Sequence, residues 1–136
     1  MDRPAENKTV IAVPEHTVEI ITNSGEGAQK CATIFGQSCA KMGNGVWTVE
    51  IIPAEIEPPH HTVTSTSGNI VRFGTNKITN WGDQSKLAIA FNDQVCLSRH
   101  RLKSFDDDCI ILHEAMWEKH EDEGIREQYA LSLIHI

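Results

Sequence analysis

The sequence predicts an α/β fold whose sheet is at least partly parallel. Three observations support this prediction. A β-branched apolar run, Thr17–Thr22, leads through a glycine turn into a segment with helical spacing, and a second β-rich run, Val46–Pro53, follows. Farther along, Lys86–Asn92 has the continuous apolar character of a buried strand. Strands joined by a helical crossover lie parallel in one sheet, so this order is typical of α/β proteins.

Composition limits the classes of protein that this chain can be. It has 136 residues, of which 40% are hydrophobic and 23% are charged, as in one globular domain. The formal net charge of −7 argues against general nucleic-acid binding, which needs clustered Lys and Arg. No apolar run approaches the roughly 18 residues that span a bilayer, and the N-terminus has no signal-peptide apolar region. We therefore expect a cytoplasmic protein with no membrane or nucleic-acid partner.

The predicted domain organisation is simple. Residues 1–16 are an N-terminal leader with two prolines and several charges, and its apolar stretch TVIAV is a candidate edge strand. Residues 17–136 form a single domain, in which no internal repeat or low-complexity segment occurs.

The glycine turn after the first strand leads into a predicted helix. Small and apolar residues recur every three or four positions from Ala28 to Met42, which predicts a helix packed closely on the sheet. Gly36 lies inside this helix and costs about 1 kcal/mol against alanine, so it indicates close packing. Gly43 and Gly45 predict where the helix ends.

Beyond the second strand, Val46–Pro53, the sequence predicts a loop and three further strands. The strands are the segments Asn69–Gly74, Lys86–Asn92 and Cys109–Glu114. Residues 54–68 are predicted to form a long loop because Pro58-Pro59 cannot continue a strand ladder. Residues 75–85 are predicted to be a short strand or a turn.

Two helical segments are predicted in the second half of the chain. The first runs from Asp93 to about Lys103, with Asn92 or Asp93 as its N-cap, and residues 105–108 (FDDD) form the turn after it. The second is the charged tail from Ala115, which is helix-prone but interrupted by Gly124.

The segment ITNSGEGAQK, residues 21–30, is the first candidate site. Gly25 and Gly27 permit positive φ and close approach to the backbone, and the amides at a helix N-terminus attract anions. A dinucleotide-binding fingerprint would place its third glycine where Lys30 stands. Two interpretations stay open: a phosphate-binding loop and a structural strand-to-helix turn.

Other clusters give weaker indications of a site. His60-His61 lie near Glu55 and Glu57 and are candidate metal ligands, but no third ligand stands at a recognised spacing. The three aspartates at 106–108 are better explained by a solvated turn than by a cation site. The four cysteines fit no metal pattern, and we expect buried apolar thiols: Cys31, Cys39, Cys96 and Cys109. The residues alone predict no metal site and no self-contained active site.

Four motifs in a fixed order make the chain resemble a known family. They are SGEGAQ, IPAEIEPP, SGNIVRFGTNKITNWGD and LAIAFND. This order is similar to the gamma-type domain at the N-terminus of the alpha subunit of 2-oxoacid:ferredoxin oxidoreductases, most closely the 2-oxoglutarate type. The match runs from about Val18 to about Ile111, about two thirds of the chain.

The resemblance implies a Rossmann-like three-layer unit with a mostly parallel sheet, a mixed sheet being the alternative. Members of the family oxidatively decarboxylate a 2-oxoacid on thiamine diphosphate, capture the acyl group with coenzyme A, and pass electrons through iron–sulfur clusters to ferredoxin. Those cofactors lie mainly in other domains. By resemblance, this chain is a structural, cofactor-facing module that holds no cofactor alone and works with thiamine-binding alpha and beta domains or subunits.

Matched residue by residue, the resemblance also implies a cofactor-facing surface. Its residues are Ser24, Gly25, Glu26, Gly27 and Gln29 in the turn, and Pro53 and Glu55 in the second motif. Gly82-Asp83 and Asn92 match the family pattern as well. No catalytic residue is implied.

The chain departs from the family pattern at several positions near this surface. Glu57 stands where the family has arginine, and His60-His61-Thr62 replace small residues. Lys30 and Asp93 replace a glycine and a proline. We therefore expect an altered acyl-chemistry surface or a divergent copy, in a domain incomplete at its C-terminus. The alternatives are a free-standing Rossmann-like nucleotide- or phosphate-binding module and a fragment without function.

Overall fold

The computed structural model describes residues 9–52 and 66–134 of the chain, with side chains up to residue 131. These residues form five strands and three α-helices. In chain order they are β1 (Glu15–Asn23), α1 (Ala28–Lys41), β2 (Gly45–Ile51), β3 (Thr66–Gly74), β4 (Ser85–Ala90), α2 (Asp93–Arg101), β5 (Phe105–His113) and α3 (Glu123–Ile134), with a 3-10 turn at Met116–Lys119 before α3.

The five strands form one mixed sheet in the order β2-β3-β1-β4-β5. The β1–β4 and β4–β5 pairs are parallel. β3 runs opposite to the other four strands, because it pairs antiparallel with both β1 and β2. The predicted α/β unit is therefore confirmed, and its sheet is mixed, which was the alternative to a mostly parallel sheet.

Helix α1 covers one face of the sheet at β1, β2 and β3. Val18, Ile20 and Val71 from the strands pack with Ala28 and Ala32 of the helix. Small helix residues let the helix approach the sheet. A Cβ added at Gly36 would lie 3.2 Å from the Thr48 methyl carbon, which confirms that this glycine marks close packing.

Helix α2 covers the opposite face, which makes the fold three-layered. Ile21, Ala88 and Ala90 from the strands pack there with Val95 and Cys96 of the helix. Helix α3 packs in turn on α2. No helix among the described residues is long and apolar enough to cross a membrane.

An ion pair is buried on the α2 face. Glu19, fully buried in the middle of β1, accepts a hydrogen bond from the Arg99 guanidinium of α2. The Ser85 hydroxyl donates to the other carboxylate oxygen at 3.0 Å. Buried charges are tolerated only when they are paired and hydrogen-bonded, so this group fixes how α2 sits on the sheet.

Two predictions about the second half are wrong. The FDDD segment is not a turn: β5 begins at Phe105, and Lys86 of β4 pairs with Asp106 at 3.2 Å. An edge strand with one free side tolerates these charges. Gly124 does not interrupt the tail helix but lies in its first turn, where Asp122 accepts a hydrogen bond from its N–H.

Several element boundaries also differ from the sequence prediction. Strand β3 begins at Thr66, inside the segment 54–68 that was expected to be a loop. The described part of the leader, including TVIAV, forms no strand before β1, and residues 75–84 form a turn region without one. The helix after β4 begins where predicted, and Asn92 is its N-cap.

Candidate functional site

The glycine turn connects the end of β1 to the start of α1. Gly25 has a φ of 96° and Gly27 a φ of 86°, both in the left-handed region that side chains other than glycine rarely adopt. A Cβ at either position would meet no atom within 4 Å among the described residues. Both glycines are therefore needed for backbone conformation, and the space beside them is open.

Two side chains predicted to face a cofactor hold this turn in place. Glu26 accepts a hydrogen bond from the Asn23 N–H at 3.2 Å, which folds its carboxylate back on the end of β1. Gln29 donates its side-chain amide to the Ile51 carbonyl at 3.3 Å, which ties α1 to the end of β2. The contacts of these side chains are therefore structural.

The N-terminus of α1 lacks the usual side-chain cap. Its N-cap is Gly27, and no side-chain hydrogen bond caps it in the part of the chain that the structure describes. The first turn has no acidic residue, and Lys30 lies there exposed. Uncapped first-turn amides carry a partial positive charge that attracts an anion.

The turn lies at the topological switch point of the sheet. β1 and β4 are parallel neighbours, and the helices that follow them, α1 and α2, pack on opposite faces. Phe91 donates its N–H to the Ile21 carbonyl at 3.0 Å, which sets the carboxyl ends of the two strands side by side. Ligands of α/β proteins bind in the crevice at such a point.

The second helix at this edge is capped by its own side chain. The Asn92 amide oxygen accepts hydrogen bonds from the Gln94 N–H at 2.9 Å and the Val95 N–H at 3.3 Å. Asn92, which matches the family pattern, therefore caps α2. The α1 N-terminus is the more open of the two helix starts.

Sequence reasoning missed two buried polar residues near the turn. Thr22 Oγ1 and Asn69 Oδ1 are buried and have no hydrogen-bond partner within the described residues. Asn69 faces Ile20 across the β1–β3 pair, and Thr22 faces Ser67. A polar residue in the inward register of an otherwise apolar strand was the available signal, and unsatisfied buried oxygens are costly unless something binds them.

The other predicted site residues are not brought together by the structure. Gly82-Asp83 line a cleft of about 410 Å³ at the amino ends of β1 and β4, the opposite edge of the sheet from the turn. Pro53 and Glu55, like Glu57 and His60-His61, lie outside the described residues. Their place in the candidate site stays a prediction.

The thiols and carboxylates offer no separate chemistry. Burial raises the pKa of Cys96 to about 12, with the Glu19 carboxylate adding to the shift, and raises that of Cys109 to about 11. These thiols are protonated near neutral pH and are poor nucleophiles. Cys39 is also buried, but Cys109 is only half-buried and Cys31 is exposed, which corrects the expectation for those two residues. Over residues 9–52 and 66–134, no cluster of His, Cys, Asp or Glu could hold a metal ion.

Comparison with solved structures identifies the fold. A 2-oxoglutarate:ferredoxin oxidoreductase from Magnetococcus marinus, solved with 2-oxoglutarate, coenzyme A and succinyl-CoA bound, matches with a TM-score of 0.62 and 20% identity. The chain has the fold of a 2-oxoacid:ferredoxin oxidoreductase subunit. The match covers 84% of this chain but 18% of that one.

Two further solved structures support the same likeness. A pyruvate oxidoreductase subunit from Thermotoga maritima matches with a TM-score of 0.55 and 13% identity, over 85% of this chain and 56% of that one. The gamma subunit of a keto/oxoacid ferredoxin oxidoreductase from Geobacter sulfurreducens matches with a TM-score of 0.55 and 11% identity, over 76% and 52%. The resemblance expected from the motifs is confirmed as a likeness of fold.

Sequence comparison adds nothing to this likeness. No family model matches the chain, and no curated protein matches it.

Proposed function

We propose that the chain is the gamma-type module of a 2-oxoacid:ferredoxin oxidoreductase. Such an enzyme converts a 2-oxoacid, such as 2-oxoglutarate, and coenzyme A to acyl-CoA and carbon dioxide, and reduces ferredoxin. The ordered motifs and the shared fold support the assignment. In this proposal the module works in the cytoplasm as one wall of a site shared with thiamine-binding alpha and beta domains, and has no complete active site of its own.

One observation carries the cofactor-facing role: the open, uncapped α1 N-terminus at the β1–β4 switch point. A phosphate group of coenzyme A fits it, because the first-turn amides and Lys30 are donors and the glycines leave space. Glu26 is the one opposing charge in the turn, and its carboxylate is held by the Asn23 N–H.

The remaining cofactors belong to the partners in this proposal. Thiamine diphosphate and the iron–sulfur clusters would supply decarboxylation and electron transfer from the alpha and beta subunits. Pro53 and Glu55 would extend the wall from the β2 side, as the family resemblance implies.

The test is reconstitution with the thiamine-binding subunits encoded in the same genome. We expect the chain to co-purify with them, and the complex, but not the chain alone, to reduce ferredoxin with 2-oxoglutarate and coenzyme A. If the chain is retained by neither subunit, the assignment as a subunit fails.

A matched pair of glycine variants tests the turn itself. Gly25 and Gly43 have φ values of 96° and 91°, and neither would place a Cβ within 4 Å of a described atom, so alanine costs each about 1–2 kcal/mol of backbone strain. Gly43 follows the far end of α1. We expect G25A to raise the KM for coenzyme A at least tenfold and G43A to leave it unchanged. Equal effects of the two variants would remove the turn from the site.

A second candidate function is a free-standing nucleotide- or phosphate-binding module. The strand, glycine turn and uncapped helix favour it, since they form an anion site without a partner. Calorimetric titration of the isolated chain with coenzyme A and with dinucleotides decides it. Affinity weaker than about 1 mM, which is about −4 kcal/mol, would exclude this alternative.

A further inference from the structure

A cleft lies at the opposite edge of the sheet from the glycine turn. Its volume of about 410 Å³ is in the range of small-molecule sites. Gly82 and Asp83, which match the family pattern, line this cleft together with Trp81. The proposed function assigns no ligand to it.

The turn that carries Trp81, residues 80–83, is held by side-chain hydrogen bonds. The Asn80 side-chain oxygen accepts one from the Gly82 N–H at 3.0 Å and one from the Arg72 guanidinium. A Cβ at Gly82 would lie 3.6 Å from Arg72 Cδ, so the turn packs on β3. It nevertheless leaves 43% of the Trp81 surface exposed.

The two cationic side chains that line the cleft are already paired with carboxylates. Arg72 donates to Glu15 at 2.6 Å, and Lys86 pairs with Asp106 at 3.2 Å. Each carboxylate offsets the charge of the cation beside it. The cleft therefore presents no uncompensated positive charge to an anionic ligand.

Asp83 and Trp81 have a capacity for recognition that the described residues do not use. The Asp83 side chain is exposed and forms no ion pair or side-chain hydrogen bond with any residue that the structure describes. Within the same residues, the Trp81 ring has no aromatic or cationic contact. An indole ring and a carboxylate that line one cleft are complementary to a positive charge.

These groups suit an organic cation better than a metal ion. A hard metal ion needs several oxygen ligands, and no cluster of His, Cys, Asp or Glu in residues 9–52 and 66–134 could hold one. An aromatic ring, by contrast, attracts an alkylammonium group to its face without any further ligand.

We propose that this cleft binds a small organic cation of the alkylammonium class. The Trp81 ring would contact the cationic group with its face, and the Asp83 carboxylate would supply the opposing charge. The Arg72 and Asn80 side chains would hold the turn in position. This inference goes beyond the proposed function and uses no residue of the glycine turn, so either can fail without the other.

The test uses the full chain labelled with nitrogen-15 and choline as the probe. The control ligand, 3,3-dimethylbutan-1-ol, has the shape of choline without its charge, and sodium chloride at equal concentration controls for ionic strength. We expect choline to shift the Trp81 indole resonance and the Asp83 amide resonance. It should bind about fivefold more tightly than the alcohol, because an exposed cation–π contact and an exposed ion pair each raise affinity a few-fold.

Matched variants locate the site. Trp81→Leu and Asp83→Asn should each weaken choline binding about threefold, and Trp81→Phe, which keeps a ring, should weaken it less than W81L. The control is Trp47→Leu, because Trp47 is also 43% exposed but does not line the cleft. Melting curves check that each variant is folded.

Four results would overturn the proposal. Equal affinity for choline and the alcohol would show that the charge is not recognised, and equal losses in W81L and W47L would place binding elsewhere. Choline that shifts no resonance of the cleft would show that no such site exists. Acetate that shifts these resonances more strongly than choline would show that the cleft prefers an anion.

Discussion

The buried ion pair between Glu19 and Arg99 allows a quantitative test of what holds α2 on the sheet. Replacing Arg99 by leucine leaves the Glu19 carboxylate at 0% exposure, with the Ser85 hydroxyl as its hydrogen-bond donor. Removing one partner of a buried pair costs about 3–5 kcal/mol, because the other charge stays desolvated. A domain of this size has about 5–15 kcal/mol in total, so R99L should lose a large part of its stability.

The magnitude follows from burial, so a more exposed pair is the control. Arg72 pairs with Glu15 at 2.6 Å, their side chains are 19% and 47% exposed, and Arg72 also donates to the Asn80 side chain. A partly exposed ion pair contributes about 0–1 kcal/mol and a hydrogen bond about 0.5–1.5 kcal/mol, so R72L should cost less than R99L. The double variant E19L/R99L removes both charges and leaves the Ser85 hydroxyl without this acceptor, which costs about 1–3 kcal/mol.

Urea unfolding followed by circular dichroism measures all four free energies. We expect the order wild type, R72L, E19L/R99L and R99L from most to least stable, with similar m values. If R99L is no less stable than R72L, the Glu19 carboxylate is not buried and paired as the structure shows. If the double variant is no more stable than R99L, an uncompensated charge is not the cause.

Two further predictions concern the tail helix and the thiols. The Tyr129 hydroxyl donates to the Glu114 carbonyl at 3.0 Å and lies 2.9 Å from His113 Nδ1, so Tyr129→Phe should cost about 1 kcal/mol and speed amide hydrogen exchange in α3. The control is Leu131→Ala, which alters an exposed side chain of the same helix and should not speed exchange. Unchanged exchange in Y129F would show that the hydroxyl does not anchor α3. Burial raises the pKa of Cys96 to about 12 and of Cys109 to about 11, so their thiolate forms are scarce near neutral pH, whereas Cys31 is exposed to the reagent. Iodoacetamide should therefore label Cys31 first in the native protein and all cysteines alike in urea, and early labelling of Cys96 would contradict its burial.

The sequence predicted those features that local chemistry determines. The helical spacing from Ala28, the glycine stop and the Asn92 cap depend on neighbours within a few residues, and each appears as expected. The orientation of β3 could not be predicted, because Asn69–Gly74 would alternate in the same way in a parallel or an antiparallel strand. Its direction is set by the whole sheet.

The failures share a physical cause, which is that tertiary contacts override local propensity. Three aspartates disfavour a strand, yet Asp106 is held in β5 by Lys86 on the neighbouring strand. The hydrogen bond from the Asp108 N–H and, to a smaller extent, the one from Lys86 lower the pKa of Asp106. Thr22 and Asn69 were missed because residue type alone does not show burial, whereas their inward position in the paired strands buries both.

The contacts of Glu26 and Gln29 limit which groups of the glycine turn can bind a ligand. The family resemblance implies that these side chains face a cofactor, yet the carboxylate holds the Asn23 N–H and the amide holds the Ile51 carbonyl. A side chain occupied in shaping the turn has less capacity left for a ligand. The groups that stay open are backbone amides of the first α1 turn, which need Gly25 and Gly27 at positive φ to be presented. A change at Glu26 should therefore act by loosening the turn, and a glycine change by misdirecting the amides.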